Sequence, residues 1–165
     1  MADWQKIIVE HFEAYYQADN NLLASDGASI EDVQLLQESL GVNLPDEFHS
    51  LYLQSNGFGV IGKGDDREYW FFRPLGQIQE FTNGTRTWFE ETHPDWANRF
   101  FPFIDWFNGD GMGYLLDSDG AVLPGLFCFE HEKYEFEEEQ EPEEFIIKWN
   151  NSILELLTQG AGIVG

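Results

Sequence analysis

The stretch FIDWFNGDGMGYLLDSDG, residues 103–120, holds the side chains in this chain best suited to chemistry. Asp105, Asp110, Asp117 and Asp119 alternate there with Gly109, Gly111, Gly113 and Gly120. Acids and glycines at such density could build a calcium loop or a phosphate cradle. A calcium loop needs oxygen ligands at alternate positions, then a glycine and a distal glutamate. Counted from Asn108, the third ligand position falls on Met112; counted from Asp117, it falls on Ala121 and the closing position on Cys128. Neither register works. A phosphate cradle of the dinucleotide type needs a helix after its glycines, and four carboxylates would repel the phosphate. The remaining reading is architectural: a strand, a glycine-rich turn, a second strand and a tight Asp-Gly turn, a hairpin signal.

The other candidates for catalysis are no stronger. Cys128 alternates with Phe127 and Phe129 in GLFCFEH, the pattern of a small apolar side chain packed in a strand rather than of a reactive thiolate. His11, His49, His93 and His131 are scattered, and none has metal-ligand spacing with another histidine or with the cysteine. Carboxylate pairs beside tryptophans would suit a glycosidase or a glycan binder, but 31 acids make such pairs inevitable. The expectation is no catalytic residue, no metal ligand and no cofactor.

Charge is the dominant feature. Thirty-one acids face eight Lys and Arg, for a net charge of −23. Nucleic acid needs Lys and Arg on the protein, and anionic membrane surface needs them too, so both are excluded as expected partners. A basic protein partner is the natural inference, because opposite fields speed encounter and select partners; solubility alone is the simpler reading of the same charge. Residues 135–144, EFEEEQEPEE, hold seven glutamates and no base. That run reads equally as a solvated loop and as a docking surface for a Lys/Arg-rich protein. The candidate partner-binding acids are Asp65, Asp66, Asp110, Asp119, Glu135, Glu137, Glu138 and Glu139. Tyr69, Trp70 and Trp106 are candidate aromatic anchors, since binding hot spots favour Trp and Tyr.

These residues must be positioned by a folded core. The 165 residues are 42% hydrophobic and 16% aromatic, enough for one domain over 1–165. No run is long and apolar enough to span a membrane, and the N-terminus lacks a signal-peptide pattern. With Cys128 alone, no intrachain disulfide forms, and the cytoplasm is the expected compartment. Residues 4–18 predict an amphipathic helix, with Trp4, Ile7, Ile8, Phe12 and Tyr15 on one side. DNNLLASDGAS reads as a linker. Ser29 is the expected cap of a helix carrying Ile30, Val33, Leu36 and Leu40 and ended by Gly41. A second helix follows Pro45 and stops at Asn56-Gly57. Tyr69–Phe72, Phe103–Phe107, Gly113–Leu116 and Leu123–Glu130 read as strands; residues 77–98 read ambiguously, with room for a short helix before Pro94. The sheet is expected to end at EEEQEP. A last helix is expected from Pro142, with Phe145, Ile146, Trp149, Ile153, Leu156 and Leu157 facing inward. Helices at both ends with strands between predict an α+β fold on a mostly antiparallel sheet.

The phrase IEDVQLLQESLGVNLPDEFHSLYLQSNG, Ile30 to Gly57, resembles the opening signature of the SUKH superfamily. That group includes bacterial toxin-immunity proteins and a fungal cell-wall-assembly regulator. The matching positions are Leu40-Gly41, Leu44-Pro45, Phe48, Leu51 and Asn56-Gly57. Gly109-Asp110 resembles the family's Gly-Asp pair entering a central strand, and His131-Glu132 with Phe145 resembles its close. The resemblance covers about residues 28–157, with residues 1–20 as an N-terminal helix; the acidic run before the last helix departs from the pattern. It implies a central sheet with helices packed against it, no catalysis, and an immunity protein that neutralises a cognate bacterial toxin, for which a basic nuclease would suit the charge. A regulatory scaffold of the same fold is the alternative, and a carbohydrate-active enzyme or lectin stands behind it.

Overall fold

The computed structural model describes residues 2–159; residue 1 and residues 160–165 of the expected domain lie outside the described residues. The described residues form α1 (Trp4–Tyr15), β1 (Asn20–Ala24), α2 (Ile30–Leu40), α3 (Asp46–Gln54), β2 (Phe58–Gly62) and β3 (Glu68–Phe72). They continue as α4 (Leu75–Thr87), α5 (Pro94–Arg99), β4 (Phe100–Asp105), β5 (Gly111–Leu115), β6 (Leu126–Phe129), β7 (Ile146–Asn150) and α6 (Ile153–Gln159). The seven strands form one sheet in chain order, and each neighbouring pair is antiparallel. The fold is α+β, with helices at both ends of the described chain.

Local chemistry sets the first helices. The Ser29 hydroxyl accepts from Asp32 N at 3.1 Å, and Gly41 closes α2 in the left-handed conformation at φ 70°, which glycine adopts without steric cost. Pro45 directly precedes α3, whose first turn carries Asp46 and Glu47 at its positive end. The carboxamide oxygen of Asn56 accepts from Leu75 N at 2.8 Å, so it caps α4 from a distant turn.

Every residue of β5 is buried, as are the first five of β4. Side chains alternate across a strand. Phe101, Met112 and Tyr114 join Trp4, Val33, Phe48 and Leu156 in the larger core cluster, on the side of α1, α2, α3 and α6. Phe100, Leu115 and Phe129 join Phe89, Ala97 and Phe145 in a smaller one. The ring of Phe48 stacks on Tyr52 at 4.4 Å and meets Phe103 edge-on at 5.2 Å.

Four expectations change. The supposed linker contains β1, which pairs with β2 through Leu22↔Val60 and Leu23↔Gly59; the strand opens on Asn20 and Asn21 and buries one residue, so its sequence carries little strand signal. The sheet does not end at the acidic run, because Ile146–Asn150 forms β7 and pairs with β6. Pro142 opens only a 3-10 turn, Pro142–Glu144, and the last helix begins at Ile153. Cross-strand pairing of β-branched Ile146 and Ile147 overrides a spacing that also fits a helix. Trp106 and Phe107 belong to the β4–β5 turn rather than to a strand, and residues 77–98 hold most of α4 together with α5.

Two outcomes test this packing. A Cβ on Gly113 would overlap the Phe101 carbonyl oxygen across the β4–β5 pair. Gly113→Ala is therefore expected to cost about 3 kcal/mol or more, whereas Gly64→Ala, with nothing within 4 Å of its added Cβ, stays near wild type in urea unfolding. Buried His11 donates Nδ1–H to the Leu157 carbonyl at 2.8 Å, tying α1 to α6. Burial lowers its pKa below the ordinary 6.5, with that hydrogen bond opposing. The unfolded chain thus takes up the proton first, so this contribution to stability holds above 6.5 and is lost as pH falls through the lowered native value. The Tm of wild type relative to His11→Gln should fall between about pH 7.5 and about pH 5.

Candidate binding surface

The acids of the opening stretch build turns. Asp105 Oδ1 accepts from Phe107 N at 2.8 Å, Asn108 Oδ1 from Asp110 N at 2.9 Å, and Asp117 Oδ1 from Asp119 N at 2.8 Å and Ala121 N at 3.0 Å. Short polar side chains that bond backbone two residues ahead are a standard turn device. Among the described residues, no group of three His, Cys, Asp or Glu is placed to hold a metal ion. Cys128 is fully buried, and burial pushes its thiol pKa up.

Antiparallel order sorts the candidate residues by the end of the sheet on which they lie. The β4–β5 turn and the β6–β7 connection share one end, because Gly111 pairs with both Asp105 and Phe129; Phe72 pairs with Ile104, so antiparallel β3 runs past β4 at that end and carries Tyr69 and the β2–β3 turn there. Asp65, Asp66, Tyr69, Trp106, Asp110, Glu135, Glu137, Glu138 and Glu139 therefore share that end. Asp119 sits on the β5–β6 turn at the opposite end, and the structure does not bring it to the others.

Within the shared end the contacts are specific. The Tyr69 hydroxyl donates to Asp65 Oδ2 at 2.7 Å, and Arg67 N donates to Oδ1 at 3.0 Å. These bonds, the Tyr69 hydroxyl foremost, hold the Asp65 carboxyl below its ordinary pKa. Asp66 adopts φ 54° within the turn. The Tyr69 ring meets Phe107 edge-on at 5.1 Å, which joins the two turns. Trp106 is half-buried and packs against the larger core cluster, 6.2 Å from Phe71. Asp110 Oδ1 accepts from His131 N at 3.0 Å and meets His131 Nδ1 at 2.6 Å, clamping the β4–β5 turn to the start of the acidic connection. That connection is pinned by buried Gln140. Its side chain accepts from Glu135 N at 2.8 Å and donates to Lys133 O at 2.7 Å, and its carbonyl accepts from His93 Nε2 at 2.7 Å. Glu135, Glu137, Glu138 and Glu139 remain exposed around this anchor.

Three large rings that the sequence reading did not select stand exposed at the same end. Trp88 just past α4 is 49% exposed, Phe107 42% and Phe136 63%. Phe107 and Phe136 hold left-handed φ of 59° and 61°, a conformation that bulky side chains rarely adopt and that clusters at functional sites. A cleft of about 430 Å³ lies between α4 and the β4–β5 turn, with Arg73, Glu80, Trp88 and Asp110 on its walls. Arg73 is ion-paired with Asp105 and lies over the rings of Phe81 and Phe107 at 5.2 and 5.5 Å. The one available sequence signal was Trp88 itself, inside the segment left ambiguous.

The sequence profile of the SMI1 / KNR4 family (SUKH-1) matches residues 27–148, most of the chain and all the strands from β2 to β6. The chain belongs to that family. The match leaves α1, β1 and α6 of this SUKH-1 chain outside it. A photosystem II stability/assembly factor, HCF136, chloroplastic, of Oryza sativa subsp. japonica is 30% identical over 82 residues, 48% of this chain. The matched segment spans 20% of that protein's length.

Asp110 is expected to act as a clamp. Asp110→Ala leaves His131 N–H without its acceptor and should cost about 1–3 kcal/mol in urea unfolding. Asp110→Asn keeps an acceptor oxygen and should cost less.

Proposed function

We propose that this SUKH-1 protein is a non-catalytic binder that neutralises a cognate toxin with a basic surface, acting in the cytoplasm, and that the loop end of its sheet is the contact face. The observation that carries this reading is the convergence of nine candidate residues at that end with three exposed rings, in a chain of net charge −23. Membership of the SUKH-1 family is consistent with an immunity or regulatory protein. The physics fits an immunity role. A toxin that cleaves nucleic acid carries a basic site to hold phosphates, and an acidic face covers such a site both electrostatically and sterically. Exposed aromatics supply the anchors, desolvated on binding, that charge alone does not. Among the described residues no helix is long and apolar enough to cross a membrane.

Affinity capture from source lysate, washed at low and then high salt, tests the reading. The expected partner is a basic protein released by salt, whose toxicity in cells is relieved by co-expression of this chain. Recovery of regulatory or cell-wall proteins alone, with no relief of any toxicity, would overturn the immunity role in favour of a scaffold. With that partner, replacing Glu135, Glu137, Glu138 and Glu139 by Gln should lower the association rate about tenfold and change dissociation by less than about threefold, because distributed rim charge acts on encounter.

A further inference from the structure

Gly84 lies near the C-terminal end of α4, where glycine costs about 1 kcal/mol relative to alanine. No packing accounts for it: an added Cβ would meet nothing within 4 Å. What the missing side chain leaves is a channel. The cleft of about 430 Å³ on one side of Gly84 and a second of about 560 Å³ on the other share Gly84 and Trp88 in their walls. Glu80, Gly84 and Trp88 follow at intervals of four and therefore lie along one helix face. Beyond them the second cleft is closed by Glu91, Tyr134 and Phe136. Phe136 packs on Tyr134 at 4.4 Å and faces Trp88 at 6.4 Å. The charge of the channel is one-sided. Glu80, Glu91, Asp105 and Asp110 line it against Arg73, whose charge Asp105 already matches.

We propose that the channel over Gly84 seats one cationic side chain of the basic protein partner, an arginine in preference to a lysine, with its cation against the Trp88 ring and its charge met by Glu91, which lines the same cleft as Gly84 and Trp88. Cation–π attraction is strongest on tryptophan, and a planar guanidinium stacks on a ring as an ammonium does not. The inference rests on the reading of this chain as a binder of a basic protein, and it names the residue type that the partner must present.

The test titrates hexa-arginine and hexa-lysine peptides onto the full chain at low ionic strength, read by tryptophan fluorescence and calorimetry. Gly84→Leu fills the channel while improving helix propensity, so its Tm should equal or exceed that of wild type. Gly84→Leu and Trp88→Ala should each weaken hexa-arginine binding about tenfold, with hexa-lysine weaker than hexa-arginine on wild type. A control with the exposed Glu10, Glu13 and Glu31 of α1 and α2, away from the proposed face, all changed to Gln should weaken it less than about threefold. Unchanged binding by Gly84→Leu and Trp88→Ala, or an equal loss in the control, would overturn the channel as the seat while leaving the acidic-binder reading intact. Failure of wild type to bind either peptide would sink both.

Discussion

β4 and β5 are buried on both faces, and that burial decides where this protein can act. Alternate residues of the pair enter two different clusters, so neither face is free for a partner. The central strands can therefore present function only through what joins them. Gly113 shows how tight the constraint is, since the backbone of Phe101 occupies the space of any side chain there. The antiparallel order then collects the β2–β3 turn, the β4–β5 turn and the β6–β7 connection at a single end.

The acids divide into two kinds of work. Asp105, Asp110 and Asp117 are spent inside turns, where their oxygens take backbone or histidine donors. The glutamates around Gln140 are held outward by a connection whose anchor is buried. Net charge of this size opposes compaction through self-repulsion, and two aromatic-rich clusters offset it. Such a balance suits a protein whose surface is specialised for a partner of opposite sign.

The α2–α3 segment was legible because its signals are local: the Ser29 cap, Gly41 at positive φ and Pro45 ahead of α3. The turns of residues 103–120 were legible for the same reason, since Asp and Gly at those spacings fold back on their own backbone. β1 and β7 were not, because Leu22 and Ile147 become strand residues only by pairing with β2 and β6. A local signal for the true start of α6 did exist: Ser152 Oγ accepts from Glu155 N at 3.0 Å, the S-x-x-E pattern of a helix start. The exposed rings were missed because exposure of Trp88, Phe107 and Phe136 is a property of the assembled loops rather than of any one segment.

Amide hydrogen exchange of the full chain, with and without the salt-released basic partner, tests the central claim most directly. The account predicts new protection at residues 62–67, 106–110 and 130–144 together with the C-terminal half of α4, and none at residues 117–121. Protection confined to the β5–β6 turn, or to α1 and α2, would contradict it.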